Sequence, residues 1–348
     1  MNALSKDMSG PLALFANRLN TLTGAERQAA AGALARTGLP DRKVEAWRYT
    51  ALRALGKQNY AAPPAQVEAS AIRAQLDALL QAHPAMAAWP RVVFVNGRHA
   101  PAFSAAPDDV DLSFFAQAPQ FGQQAAPDRD PLVALNTALA EDGLVLRVPA
   151  GVDAGHVMLI SLGMAGAEPL SFHPRHTVVV EKEAQLRLIC LQAGQGAYFH
   201  NPVMDIRVED GATLEHVTVQ TEGEQAISLG TLYAHVGHQS VYDSFVLGLG
   251  GQLVRHEVHA RLAATRAVVH VNGAQRLSGQ QLGDITSVIT HAASDCTSRQ
   301  TVRNVLDGHA RGVFQGKVLV ERIAQKTDGY QMNQALLLSP DAEIDAKP

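Results

Sequence analysis

The sequence predicts a mainly β protein: a solenoid of stacked coils behind an N-terminal α-helical region. Three observations carry this. Residues 1–145 are rich in alanine and in helix signals, with one β-hairpin. Residues 146–348 are a succession of short β-rich runs with almost no helical periodicity. Between those runs, small or polar turn residues recur, at first about every 27–28 residues. A period in that range, with strand, tight turn and strand in each unit, is the pattern of stacked coils. The chain has 348 residues, 47% of them hydrophobic, enough for a substantial core.

Taken in order, Thr23 and Glu26 have the spacing of a capping box at a helix start. That helix runs to Arg36 and stops at Gly38, with Pro40 beyond it. Ile72, Leu76, Leu79 and Leu80 recur at helical spacing after Ser70. The period then changes. Val92, Val93, Phe94 and Val95 run into Asn96-Gly97, the dipeptide of a two-residue hairpin turn. Residues 105–130, rich in Pro, Gln and Asp, read as a linker, and residues 132–141 as a helix ended by Gly143. The β runs follow at 178–180, 186–191, 203–208, 214–219 and 245–249. Their turns fall at 182–184, 210–212, 237–240, 264–267, 307–310 and 340–342. The last two intervals lengthen and become irregular, so the repeat reads as degraded or interrupted, and an all-β sandwich stays open on periodicity alone.

Composition excludes several classes. A net charge of −4 with 18% charged residues leaves no clustered basic footprint for nucleic acid. The N-terminus lacks the apolar core and cleavage site of a signal peptide, and no run of 18 apolar residues suggests a membrane span. Cys190 and Cys296 are the two cysteines, far apart in sequence, which fits a reducing cytoplasm rather than a disulfide framework.

Fourteen histidines raise a metal hypothesis. The pairs His173/His176, His235/His238 and His256/His259 are three residues apart. On a strand that spacing points to opposite faces, so such pairs do not converge on one ion. His256 is expected to face the core with Val254 and Val258, and His259 to lie with Glu257 and Arg261. No metal or catalytic residue is assigned. Three or more ligands among His256, His259, His270 and His291 would favour a metal-assisted hydrolase instead. Cys190, inside an apolar run, reads as a small buried hydrophobe. Cys296, in a polar stretch with His291 nearby, reads as accessible and as the better reactive candidate. Two cysteines under-ligate an iron–sulfur cluster, so no cofactor is expected on this chain alone. No GxGxxG, GxxxxGK[ST] or GxSxG motif is present, and Gly248–Gly251 reads as a turn between coils. The carboxylates Asp205, Glu209 and Asp210 show no spacing that singles out a glycosidase dyad.

Several motifs resemble one family in order along the chain. Lys43-Val44-Glu45-Ala46-Trp47-Arg48-Tyr49-Thr50 resembles the K-x-E-x-W-[RK]-Y-T signature of SufD-type members of the SufB/SufD family. Residues 93–98 look like that family's early hairpin, and residues 135–143 like its lead into the β body. The longest match is Asp307-Gly308-His309-Ala310-Arg311-Gly312-Val313-Phe314-Gln315-Gly316-Lys317. Residues 324–328, 336–339 and 342–348 follow in family order. The resemblance implies a right-handed parallel β-helix. It implies a non-catalytic scaffold of the SUF iron–sulfur cluster assembly system that pairs with SufB and the ATPase SufC. Clusters would be held only transiently, in the complex. It also implies a further segment past Pro348, with a cysteine and histidine motif and a helical domain that docks SufC. No residue here matches those ligands. The end of the solenoid, at Leu336, Leu338, Ala342 and Ile344, is the expected interface, either with SufB or with a second copy in a homodimer. The competing function is a β-helix enzyme acting on polysaccharide, or the hydrolase named above.

Overall fold

The computed structural model describes residues 10–122 and 124–347. After α1 (Ala16–Leu19), α2 (Ala25–Thr37) and α3 (Ala69–Ala82) come β1 (Arg91–Val95), β2 (Arg98–His99), β3 (Asp111–Phe114) and α4 (Pro131–Leu139). Then come β4 (Leu144–Val148), β5 (Asp153–Met164), β6 (Leu170–Phe172), β7 (Arg175–Val180), β8 (Gln185–Gln195), β9 (Tyr198–His200), β10 (Val203–Val208) and β11 (Thr213–Glu222). Next are β12 (Ile227–Val236), β13 (Val241–Gly248), β14 (Leu253–Leu262), β15 (Val268–Leu277) and β16 (Leu282–His291). The chain closes with β17 (Thr297–Leu306), β18 (Arg311–Val320), β19 (Asp328–Leu337) and β20 (Glu343–Lys347).

Two sheets result. One runs β19-β17-β15-β13-β11-β8-β5-β1-β2 and the other β20-β18-β16-β14-β12-β10-β7-β4-β3, with β6 and β9 beside β12 in the second. Successive coils give a strand to each sheet in turn, and neighbours pair in parallel. Parallel neighbours rule out the antiparallel sandwich and make a solenoid of about 7 turns. Antiparallel pairing among the strands is that of β2 on β1 and β3 on β4, with one further bridge from Arg91 to Ala105. Along β17, buried residues alternate with more exposed ones, as period-2 geometry requires. The inward residues of both sheets make one continuous apolar core that includes Leu146, Leu188, Ile206, Leu214 and Val269.

The coils turn at two edges. At one edge Glu183, Gly211, Gln239, Arg266 and Asp295 take positive φ. Each hands its N–H to a carbonyl of the next turn: Glu183 to Asp210, Gly211 to His238, Gln239 to Thr265 and Arg266 to Ser294. At the other edge Gly251, Gly279 and Gly308 take positive φ, and the bonds run back to the preceding turn, from Gly251 N–H to Glu222 and from His309 N–H to Gly279. The turns at 307–310 and 340–342 belong to this second edge. The repeat is therefore uninterrupted: the longer of its two irregular intervals came from stepping from one edge to the other, and the last from longer turns around β19. Ser294-Asp295-Cys296 is the turn that continues the first series.

The helical region packs outside the solenoid. Phe15, Leu19, Leu34 and α4 residues Leu132 and Leu135 share a cluster with Phe199, Ile227, Leu229 and Leu253. α3 buries Ile72 and Leu76 against β1, β5 and β8. Asn96 and Gly97 form the hairpin turn, both with positive φ. Three local expectations change. α2 starts after Gly24 with no side-chain cap, so Thr23 and Glu26 make no capping box. Residues 105–130 are not a bare linker: β3 lies within them, Phe115 is buried, and Gln124 bonds Asp205. β4 runs across the division expected between residues 145 and 146.

Candidate functional site at the open end of the solenoid

The two ends of the solenoid differ. At the first, β2 pairs with β1 and β3 with β4, both antiparallel. At the last, β19 pairs with β17 and β20 with β18, and among the described residues no strand lies on their outer edges. In a parallel strand, alternate residues turn their N–H groups to opposite neighbours. Glu343 N–H bonds the carbonyl of Ala310, just before β18, so the N–H of Ile344 points outward, off the end. Unpaired N–H and C=O groups in a row are a template for another strand. Apolar side chains stand beside them: Leu336 and Leu338 are each 57% exposed, with Tyr330, Leu337, Val320 and Ile323 also exposed. The four predicted interface residues therefore separate. Leu336 and Leu338 face solvent. Ala342, 6% exposed, packs inward against Leu277, Leu306 and Ala310, with Ile344 partly packed beside it. Their side chains plug the last coil rather than present a docking face.

The predicted histidines and cysteines do not assemble into one site. His256 lines an enclosed cavity of about 40 Å³ with His176, His200, His216, Cys190 and Thr218. Burial pushes the imidazoles of His176 and His216 down to about 3 and that of His256 to about 4. Burial also pushes the Cys190 thiol up to about 12, and its Sγ lies 3.3 Å from His216 Nε2. His259 lies on the opposite face of β14, its Nε2 2.9 Å from Glu257 Oε1. His270 faces Asp243 at 3.4 Å. His291 is buried with Nε2 2.9 Å from Ser298 Oγ. Asp205 is buried and takes up Gln124, while Asp210 caps the turn at His238, so neither joins a catalytic pair.

Cys296 overturns its expectation. It is 0% exposed, and its Sγ donates to the carbonyls of Ala264 (3.2 Å) and Ser294 (3.4 Å). The positive φ of Asp295 turns the chain so that residue 296 points into the core, in step with Ser298 and Gln300. Burial raises its thiol pKa above the ordinary value. A thiol held protonated is not a nucleophile, so Cys296 and His291 are withdrawn as a reactive pair.

Sequence reasoning missed a charged network on the outer face of the second sheet. Arg255, 2% exposed, bonds Asp284 through Nη1 and Glu257 Oε2 through Nε at 2.9 Å. Burial works against its charge, but Asp284 and Glu257 outweigh it and raise the pKa. Trp47 lies over the guanidinium, 4.2 Å from ring centroid to Cζ. The rest of residues 43–50 extends along the same face. Thr50 bonds Asp284, Gln315 donates to the Ala46 carbonyl, and Lys347 pairs with Glu45. One short segment is thus stitched to β14, β16, β18 and β20 in succession. The Trp-Arg-Tyr-Thr motif was the signal for it, but its partners lie far along the chain.

No helix among the described residues is long and apolar enough to cross a membrane. Residues 163–348 match the family model for the SUF system FeS cluster assembly SufBD core domain, and residues 109–159 that for the SufBD protein N-terminal region. The iron–sulfur cluster assembly SufBD family protein slr0076 of Synechocystis is 28% identical, over 93% of this chain and 75% of its own length. The iron–sulfur cluster assembly protein SufD of Escherichia coli K12 is 27% identical, over 90% of this chain and 74% of its own. With a core-domain match over more than half its length, two parallel sheets wound as a solenoid and a helical front, this chain belongs to the SufBD family of the SUF iron–sulfur cluster assembly system.

Proposed function

We propose that this protein is a non-catalytic scaffold subunit of a SUF assembly complex, joined to SufB through the open end of its solenoid and working with the ATPase SufC. The observation that carries the reading is the pair of strand edges at β19 and β20 on which no described strand lies, flanked by exposed Leu336, Leu337 and Leu338. A partner strand there would satisfy the edge groups and cover the leucines together. On this reading iron–sulfur clusters pass through the complex and are not held by the isolated chain. Cys190 and Cys296 are both buried, and a cluster needs about four ligands, mostly thiolates. The test is co-expression of the full chain with SufB and SufC. SufB and SufC should copurify with the wild type, and a Leu336→Lys, Leu338→Lys double variant should lose SufB. Copurification that ignores the double variant would place the interface elsewhere.

A further inference from the structure

Beyond the scaffold role, Asp130, Glu257 and His259 each offer a ligand atom, and those atoms all lie within 4.8 Å of one another. They come from two separate elements. Asp130 stands at the N-cap of α4, where Oδ1 accepts from Leu132 N (2.9 Å) and Val133 N (3.3 Å). Glu257 and His259 are neighbours on the outer face of β14. Asp130 Oδ2 remains turned toward Tyr233, whose hydroxyl donates to it at 3.4 Å, and the Tyr233 ring stacks on His259. The imidazole is thus held in one orientation by the stack and by Glu257.

Carboxylates crowd this point. Glu257 is nine-tenths buried, and it shares Arg255 with Asp284. Asp205, buried nearby on the same face, faces Arg175. Asp284 and Glu257 thus share one guanidinium, while Asp130 has two backbone N–H groups and the Tyr233 hydroxyl as its hydrogen-bond partners. The charge nearest Asp130 is the like charge of Glu257, with His259 the compensating group. Two half-neutralised carboxylates and an imidazole converging in a desolvated crevice form the donor set of a divalent first-row cation.

We infer that Asp130, Glu257 and His259 bind one divalent cation, such as Zn²⁺, that clamps the start of α4 to β14. Its three protein ligands would be one oxygen from each carboxylate and the imidazole Nε2. Binding takes the Nε2 lone pair, so the Nε2 proton now facing Glu257 is exchanged through solvent and His259 binds as the neutral imidazole protonated at Nδ1. His259, 28% exposed at its side chain, leaves solvent a route to the remaining position.

The full chain, stripped by chelator and dialysed against Zn²⁺ or Co²⁺, should hold one ion, with Co²⁺ giving the visible bands of a mixed oxygen and nitrogen field. Asp130→Asn keeps a good cap and removes the charge. It and His259→Asn should each weaken binding about 10–100-fold, while His309→Asn, on an exposed turn, should leave it unchanged. Circular dichroism checks each fold. Where a variant does not fold, peptide mapping of wild-type chain treated with diethylpyrocarbonate decides, because Zn²⁺ should protect His259. No stoichiometric uptake, wild-type affinity in Asp130→Asn, or His259 modified equally with and without Zn²⁺ would each overturn the site.

Discussion

Arg255 carries more of the structure than its neighbours in sequence suggest. Read locally, the stretch His256-Glu257-Val258-His259 draws the eye to its histidines. The decisive partners of Arg255, Asp284 and Trp47, lie on another strand and in the helical front, so no local spacing shows them. Removing one member of a buried ion pair strands the other, at a cost of about 3–5 kcal/mol. Arg255→Ala should therefore lower the urea-unfolding free energy by about that much. Arg255→Met with Asp284→Asn and Glu257→Gln, which leaves no charge unpaired, should recover a large part of it. The buried histidines give a second expectation. His176 and His216 keep their imidazoles neutral, with folded pKa near 3 against 6.5 in the unfolded chain. The unfolded state then binds more protons between those values. Stability is complete above pH 6.5 and falls by about 1.4 kcal/mol per pH unit for each histidine as pH drops toward 3. Urea midpoints at pH 7, 6 and 5 should show this slope, and His216→Gln should flatten it by one histidine's share. An unchanged slope would mean that His216 takes up its proton while folded. The sequence did place Cys190 and His256 in the core, because strict alternation along a strand is visible in the residues themselves.

At the scale of elements, the turns set the register. The sequence exposed the period of the coils but merged the two edges into one series, because both edges use the same small and polar residues. Nothing in residues 307–310 tells which edge they occupy; pairing of β18 with β16 does. The same merging hid the turn at Asp295 and made Cys296 look accessible. Gly143 was read as the end of α4, but it serves a closer contact. A Cβ there would lie 1.7 Å from the carbonyl oxygen of Arg175. Only glycine lets β4 come in against the start of β7. Gly143→Ala should destabilise the fold by about 3 kcal/mol or more, above the ordinary range for overpacking. Gly166→Ala, with no atom within 4 Å of the added methyl, should be nearly neutral. Thermal unfolding of the two variants side by side checks the contrast.

At the scale of the whole solenoid, no strand among the described residues covers the edges of β19 and β20. A self-complementary edge closes most simply as a two-fold pair. The isolated full chain is expected to dimerise through β19 and β20 when SufB is absent. Ile344 offers a clean probe. Its outward N–H can be removed by Ile344→Pro while the Glu343 bond to Ala310 stays on the other side of β20. Sedimentation over a range of concentrations should show a dimer for the wild type and a monomer for Ile344→Pro. A wild-type monomer throughout, or a dimer indifferent to the proline, would rule out this edge. The architecture was legible because a solenoid repeats its evidence in every coil. The helical front was legible only as helices, since its docking site is assembled from strands distant in sequence.

The segment at residues 43–50 has a consequence for synthesis. It leaves the ribosome well before its partners, and Glu45 must wait for Lys347, 302 residues later. At about 5–20 residues per second, that interval is roughly 15–60 s. Through it, Trp47 has no Arg255 to cover until most of the coils exist. A nascent chain therefore carries an uncovered aromatic residue until β14 has been made, and any chaperone binding there would compete with its final seat.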